Sequence, residues 1–228
     1  MEKKKGADLR LMAGMNTLKP YTEKDHYEKT ASLTLSELSG RLTELSGQGN
    51  IANLTLACHI VLDAQQKGET TAWITGKESS FYPPDVARGG IDLSALAVIR
   101  CPDKRTIARV ADRLARSGAF GLLVLDLGAE VNIPLPLQSH LAGLARIHDM
   151  AILFLTEKAD DVPSLGSLVS LRGKTWSRRE IDNDKSLACN DKQGFCAQFV
   201  CSFKAVKDKR RAPGWISERM YHGTPGLC

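Results

Sequence analysis

Apolar residues along this chain come in two alternating textures: short, nearly unbroken runs, and longer segments in which they recur every three to four positions. Thr71 to Thr75, Ala95 to Arg100 and, most fully, Gly121 to Leu127 and Ala151 to Leu155 are of the first kind, and Leu42 to Ser46 reads as the first core strand ahead of them. Continuous rather than alternating apolar residues predict strands covered on both faces. Between them, Leu54, Ala57, Cys58, Val61, Leu62 and Gln65 keep a helical period over 53–67, and Gly68 follows where a helix would stop. Ile107, Val110, Ala111 and Leu114 do the same between Asp103 and Ser117, ended by Gly118, and Leu137, Leu141, Leu144 and Ile147 mark a further helix. Pro83 to Gly90 reads as a short helix and turn. Strands and helices in strict alternation predict an α/β fold: a mostly parallel sheet flanked by helices.

Beyond Leu165 the texture changes. Leu165 to Leu171 and Cys196 to Val206 run short or alternate, with no long helix between them, and predict an antiparallel C-terminal extension of the sheet. Residues 1–32 are polar and irregular, with Pro20 and a charge cluster from Glu23 to Lys29, and read as a flexible arm; residues 33–228 read as one core domain.

Charge adds a direction. The chain is +5 overall, yet Arg172 to Arg211 holds eleven Lys/Arg against five Asp/Glu, which leaves the remainder at −1. A basic C-terminal region points to an acidic partner, either nucleic acid or an acidic protein surface. Within it, Arg172, Lys174, Arg178 and Arg179, with Trp176 among them, are candidate nucleic-acid contacts, cations for phosphates and a ring for a base. The same residues also read as a plain solvated segment. No apolar run approaches the roughly 18 residues that cross a bilayer, so a cytoplasmic location without membrane contact is expected, extending to the nucleoid if the basic region meets DNA. The six Cys (58, 101, 189, 196, 201 and 228) form no C-x-x-C pair, and the gaps among Cys189, Cys196 and Cys201, even with His222, match no zinc spacing. Reduced structural thiols and no metal are expected. His59 has no nucleophile or base near it in sequence and reads as packing.

One junction carries candidate chemistry: the strand ending at Ser46 runs through Gly47-Gln-Gly49-Asn50-Ile into the helix that begins near Ala52. A phosphate-binding loop at such a place reads G-x-x-x-x-G-K-[ST], its backbone N–H groups and Lys holding phosphate and its hydroxyl holding Mg²⁺. Here Gly47 stands first, but Ala52, Asn53 and Leu54 occupy the Gly, Lys and Ser/Thr positions, and Thr55 falls one place late.

Gly40-Arg-Leu-Thr-Glu44-Leu-Ser-Gly47 resembles the strand and loop entry of the RecA recombinase family, and Gln65 to Ile74, Gly90 to Leu96 and Leu114 to Ala119 are similar to its following segments. Lys207-Asp-Lys209-Arg-Arg-Ala-Pro213 resembles a family segment whose two lysines reach into the nucleotide site of the neighbouring protomer. The resemblance runs from about Leu38 to Gly226 and implies a RecA-like core at 33–228 without the small domain that follows the core in RecA. It places Asp126 where the family holds its metal-positioning Asp, although an Asp at a strand end needs no such role, and Glu157 near the γ-phosphate-sensing Gln. It gives Glu78 as the candidate for the family's catalytic Glu. Gly47, Gly49, Asn50, Ala52, Asn53, Leu54, Thr55 and Asp126 then form a degenerate nucleotide site, while Lys207, Lys209, Arg210 and Arg211 form a protomer or partner interface. Without the phosphate Lys, no ATP cofactor and no catalysis are expected.

A short, inactive RecA-like chain resembles the ImuA group, including its SulA-like members. The expected function is that of an accessory protein of the bacterial DNA damage response, acting in SOS mutagenesis and translesion synthesis. Its expected partners are RecA, a Y-family polymerase partner of the ImuB type, and single-stranded DNA. Two alternatives stand beside this reading: a basic nucleic-acid-binding module, and a residual ATPase that draws on an unusual phosphate ligand such as Lys77.

Overall fold

A computed structural model describes residues 32–47, 51–77, 81–129, 133–159, 161–180 and 198–222. The arm at 1–31, Gly49, Asn50, Glu78, Cys189, Cys196 and Cys228 lie outside the described residues, as does all but Ser32 of the expected arm.

The described elements, in order, are α1 (Leu35–Leu38), β1 (Arg41–Ser46), α2 (Ile51–Gln66), β2 (Thr71–Thr75), α3 (Pro83–Arg88), β3 (Leu96–Arg100), α4 (Lys104–Ser117), β4 (Leu122–Gly128), α5 (Leu135–Ile147), β5 (Ala151–Thr156), β6 (Leu171–Glu180), β7 (Gln198–Asp208) and β8 (Ile216–His222). They build one eight-stranded sheet in the order β3-β2-β4-β5-β1-β6-β7-β8. The α/β alternation legible in the sequence is therefore present, with every long helix close to its expected bounds.

The sequence sets these ends in specific ways. Asp103 caps α4 by accepting the Thr106 N–H at 2.8 Å, and Gly118 ends the helix in the left-handed region at φ 66°. The strands β1, β2 and β5 are buried along their whole length; the apolar run of β5 requires this, while β1 also buries Arg41, Thr43, Glu44 and Ser46. On one face Leu45, Trp73, Val124, Leu153 and Phe203 pack under α2 with Leu56, Ile60 and Val61. On the other, Leu42, Ile74, Leu125, Ile152 and Phe154 pack under α4 and α5 with Ile107, Ala111 and Leu141.

The C-terminal region corrects one expectation and refines another. Leu165 to Leu171 is not a strand. Its apolar residues are buried for a different reason: Leu165 and Val169 plug the second core, while the Leu165 and Ser170 N–H groups donate to the Glu44 carboxylate and the Leu42 carbonyl. The strand that follows, β6, begins at Leu171 and is polar in sequence. It pairs parallel with β1 (Thr43 opposite Leu171), and the antiparallel part starts only with β7 and continues into β8. Polar residues suffice there because, among the described residues, no helix covers the second face of β7 and β8, where Lys204, Val206 and Met220 stand exposed. Gly173 in β6 lets the Phe203 ring lie directly on the backbone, since a Cβ at that position would collide with it.

Candidate nucleotide site and basic face

All five strands from β1 to β5 run parallel, so Ser46, Thr75, Arg100, Gly128 and Thr156 end on one edge of the sheet. Ligands of open α/β sheets bind outside that edge. The two sides of the junction from β1 to α2, Ser46–Gly47 and the start of α2, lie there.

Asn53, 1% exposed, stands at the start of α2 with its amide turned inward. Its Nδ2 donates to the Thr156 carbonyl at 3.1 Å and, more weakly, to the Gly47 carbonyl at 3.5 Å, while its Oδ1 accepts from the Thr175 hydroxyl of β6. Gly47 donates its own N–H to Thr156 and lies so close to Thr175 that a Cβ there would come within 2.7 Å of the Thr175 carbonyl oxygen. The start of α2 is thus stitched to β5 and β6 by side-chain amide and hydroxyl groups. Ala52 is buried, and Leu54 and Thr55 turn away from the loop. They line an apolar cavity of about 560 Å³ between α2, α3 and the β7–β8 face. Thr55 interacts there with the buried Cys201.

Asp126 lies near the end of β4, half-buried, and accepts the Thr75 hydroxyl at 3.1 Å. Glu157 follows β5, exposed, with its N–H on the Gly128 carbonyl. Lys77 is exposed just beyond β2. Three strand steps separate β2 from β1 in the sheet, about 14 Å at the usual spacing.

A residue that sequence reasoning passed over sits at the centre of this edge. Glu44, fully buried in β1, accepts hydrogen bonds from the Thr156 hydroxyl at 3.1 Å, the Ser164 hydroxyl at 2.8 Å and the Leu165 N–H at 3.0 Å. It also meets Lys158 Nζ at 3.3 Å and Arg172 Nε at 3.9 Å. A charged residue in the middle of an apolar strand was the available signal, because a buried carboxylate must be paired and hydrogen-bonded to persist.

The basic residues divide into two groups. Arg172, Lys174, Trp176 and Arg178 alternate onto the uncovered face of β6, whereas Arg179 points to the α2 side. Of these, Arg172 is buried against Glu44, and Arg178 forks onto the Glu218 carboxylate at 2.9 and 3.4 Å. The five therefore lie on two faces of β6. With Lys204 and Ser46, Arg172 and Lys174 line a cavity of about 500 Å³ closed by Val206, Pro213 and Gly214.

The Lys207 to Arg211 segment is not a free basic turn. Its Asp208 is buried and receives Arg41 at 2.7 Å, the Trp215 indole N–H at 3.0 Å and the Arg210 backbone N–H at 2.9 Å. Arg210 donates to the Ser39 carbonyl, and Arg211 pairs with Glu37 at 3.2 Å while lying over the Trp215 ring. Lys207 and Lys209 donate to the Gly166 and Ser167 carbonyls. Burial, followed by the nearby Lys209, holds the Lys207 ammonium below the usual lysine range, and Glu44 offsets part of that.

Chemistry elsewhere is sparse. Burial pushes the Cys58 thiol up to about 12, which removes it as a nucleophile at neutral pH, and burial lowers His59. Among the described residues no cluster of three or more His, Cys, Asp or Glu could hold a metal, and no helix is long and apolar enough to cross a membrane.

Comparison with known proteins agrees with this geometry. Residues 33–144 match the RecA N-terminal domain family. Protein RecA of Rhodospirillum rubrum is 33% identical over 122 residues, covering 51% of this chain and 33% of that protein. Protein RecA of Gluconobacter oxydans is 31% identical over the same length, covering 51% and 35%, and that of Bifidobacterium breve is 34% identical over 87 residues, covering 38% and 22%. The chain thus spans about a third or less of the length of these relatives. Its sheet order, flanking helices and the match over residues 33–144 make the chain similar to the RecA-like superfamily and support a member of it.

Proposed function

We propose that this chain is a catalytically inactive RecA-like accessory protein of the bacterial DNA damage response, resembling the ImuA group. In this role it serves SOS mutagenesis and translesion synthesis by binding RecA, a Y-family polymerase partner of the ImuB type, or both, through a RecA-type protomer interface. Asn53 carries the reading. At the position that the resemblance gives to the phosphate lysine stands a neutral, buried amide that hydrogen-bonds Gly47, Thr156 and Thr175. A phosphate at this junction would have neither the cation nor the hydroxyl that normally hold it and its Mg²⁺, each worth a charge-assisted hydrogen bond.

Lys207 and Lys209 then act in trans, on ATP held by an active RecA neighbour, while the sealed junction at Asn53 offers no productive site to a further subunit. Such a protein caps or modulates one end of a filament. The test is the single-stranded-DNA-dependent ATPase of RecA from the same organism with this protein titrated in, and the protein alone as control. Inhibition or stimulation at sub-stoichiometric levels, lost in the Lys207→Ala/Lys209→Ala variant, is the expected result; turnover by the protein alone, or binding of a nucleotide analogue below millimolar concentration, would overturn it.

The cavity lined by Arg172, Lys174 and Lys204 favours a second reading, a nucleic-acid-binding module. That reading predicts an affinity for single-stranded DNA that falls steeply with salt as neutralised phosphates release counterions.

A further inference from the structure

The outer surface of α4 and α5 carries charge that folding does not use. Arg105, Arg109 and Arg113 follow one another at four-residue spacing along α4, Arg116 continues the ridge, and all four are exposed. Like charges so spaced repel across successive turns, and Arg105 sits in the first turn, where the helix dipole favours an acid and none is present. Among the described residues only Arg116 of this ridge is paired, with Asp112 at 2.9 Å. Asp112 also contacts His140 of α5, joining the ridge to the neighbouring helix.

That helix adds no acid and contributes Arg146 in its last turn. Together the two helices hold six Lys/Arg against one Asp, a charge of +5 that equals the net charge of the whole chain. Next to the ridge, Pro136, His140, Gly143, Leu144 and Ile147 line a shallow cavity of about 400 Å³. Ile147 is 75% exposed and Leu135 57%, the two most exposed apolar side chains of the helical layer.

We propose that this face docks an acidic amphipathic helix of a partner protein. The partner's carboxylates would lie along Arg105, Arg109 and Arg113, and its apolar side chains over Gly143 and Ile147. Charge complementarity requires an acidic occupant, and the exposed Leu135 and Ile147 require one with an apolar stripe as well. A phosphate backbone offers no such stripe, and neither helix presents a Phe, Tyr or Trp to stack a base. The surface is distinct from Lys207 to Arg211 and from the basic face of β6, so it stands or falls separately from the role proposed above.

Fluorescence anisotropy of the full chain with a labelled synthetic helix, glutamates along one face and leucines along the next, tests it. Poly-glutamate of equal charge and a DNA duplex serve as competing probes. The amphipathic peptide should bind at least about tenfold tighter than poly-glutamate, and Arg109→Glu/Arg113→Glu should weaken it by at least about tenfold, while Lys174→Glu/Lys204→Glu leaves it within about twofold. Ile147→Asp, on the other helix and outside the core, provides a second variant and should also weaken binding. Equal binding of poly-glutamate, indifference to both the α4 and the Ile147 variants, or duplex binding that outcompetes the peptide and is abolished by Arg109→Glu/Arg113→Glu would overturn the proposal.

Discussion

Replacing Asn53 distinguishes a sealed junction from a dormant nucleotide site. Asn53→Ala removes the hydrogen bond to Thr156 at 3.1 Å, the weaker one to Gly47 and the acceptor of the Thr175 hydroxyl, all in a place where Asn53 is 1% exposed. Each buried bond is worth about 0.5–1.5 kcal/mol net, and the groups left unpaired add their own desolvation, so the loss should be about 2–4 kcal/mol. For a chain of this length that corresponds to a fall of about 4–16 °C in Tm. Asn53→Lys restores the loop's cation, but the present packing would bury an ammonium without a carboxylate beside it, and the cost should exceed that of alanine. The assay is urea and thermal unfolding of both variants with and without millimolar Mg²⁺–ATP. A loss below about 0.5 kcal/mol for Asn53→Ala, or an Asn53→Lys variant as stable as the parent and raised in Tm by ATP, would refute the seal and return the junction to the class of openable phosphate loops.

Three further outcomes follow from the buried charges and the close packing. Burial tends to raise the Asp208 carboxyl, but the Arg210 N–H, Arg41 and the Trp215 indole outweigh it and hold the group below its ordinary value. The stability it contributes is therefore complete above the unfolded-state value and lost as the pH falls through the lower folded one; acid unfolding followed by tryptophan fluorescence should show an acid transition that Asp208→Asn shifts to higher pH or removes. Glu44→Ala leaves Lys158 and Arg172 without their carboxylate and frees the Ser164 and Leu165 donors, and should cost about 3–5 kcal/mol by denaturation, with faster proteolysis at 158–165. Gly173→Val places a side chain where the Phe203 ring now lies and should destabilise by about 1–3 kcal/mol, an effect that Gly173→Val/Phe203→Ala would not repeat in full.

The inner strands β4 and β5 were legible because they are covered on both faces, so burial alone dictates their composition: Leu122 to Leu125 and Ala151 to Leu155 could be little else, whereas β3 is an edge strand with Val98 exposed. β6 was not, because Arg172 is buried only through its pairing with Glu44, Lys174 and Trp176 face a side with no helix over it among the described residues, and the period-two pattern is weak when its inward positions include Gly173 and Thr175. Leu165 to Leu171 misled for the opposite reason. Leu165, Leu168 and Val169 are apolar to fill the core under α4 and α5, and the parallel ladder to β1 begins only at Leu171, which packs into the other core. At the candidate site, the departure from a phosphate loop could be read letter by letter, but what filled the gap could not. That Asn53 reaches Thr156 and Thr175, at 103 and 122 residues of separation, is a tertiary fact with no local signature. Glu44 is similar: its partners come from Thr156 to Arg172 and depend on β1 lying between β5 and β6.

The Lys207 to Arg211 segment separates retention for structure from retention for partnership. Asp208, Arg210 and Arg211 tie the end of β7 to Arg41, Ser39 and Glu37, so their presence follows from folding alone and says nothing about a neighbour. Lys207 and Lys209 are different. Their contacts are hydrogen bonds to the Gly166 and Ser167 carbonyls at or near the surface, and Lys207 is held there at the expense of burial and of repulsion from Lys209. Such contacts contribute about 1 kcal/mol or less each, so Lys207→Ala/Lys209→Ala should shift Tm by only a few degrees, about 2–4 °C per kcal/mol. A partner-facing pair would then lose its effect on RecA ATPase while the fold stays intact, and Asp208→Ala would lose both. Equal loss of stability in the two variants, with the RecA effect tracking stability alone, would show that the lysines serve the loop at Gly166 and nothing beyond it.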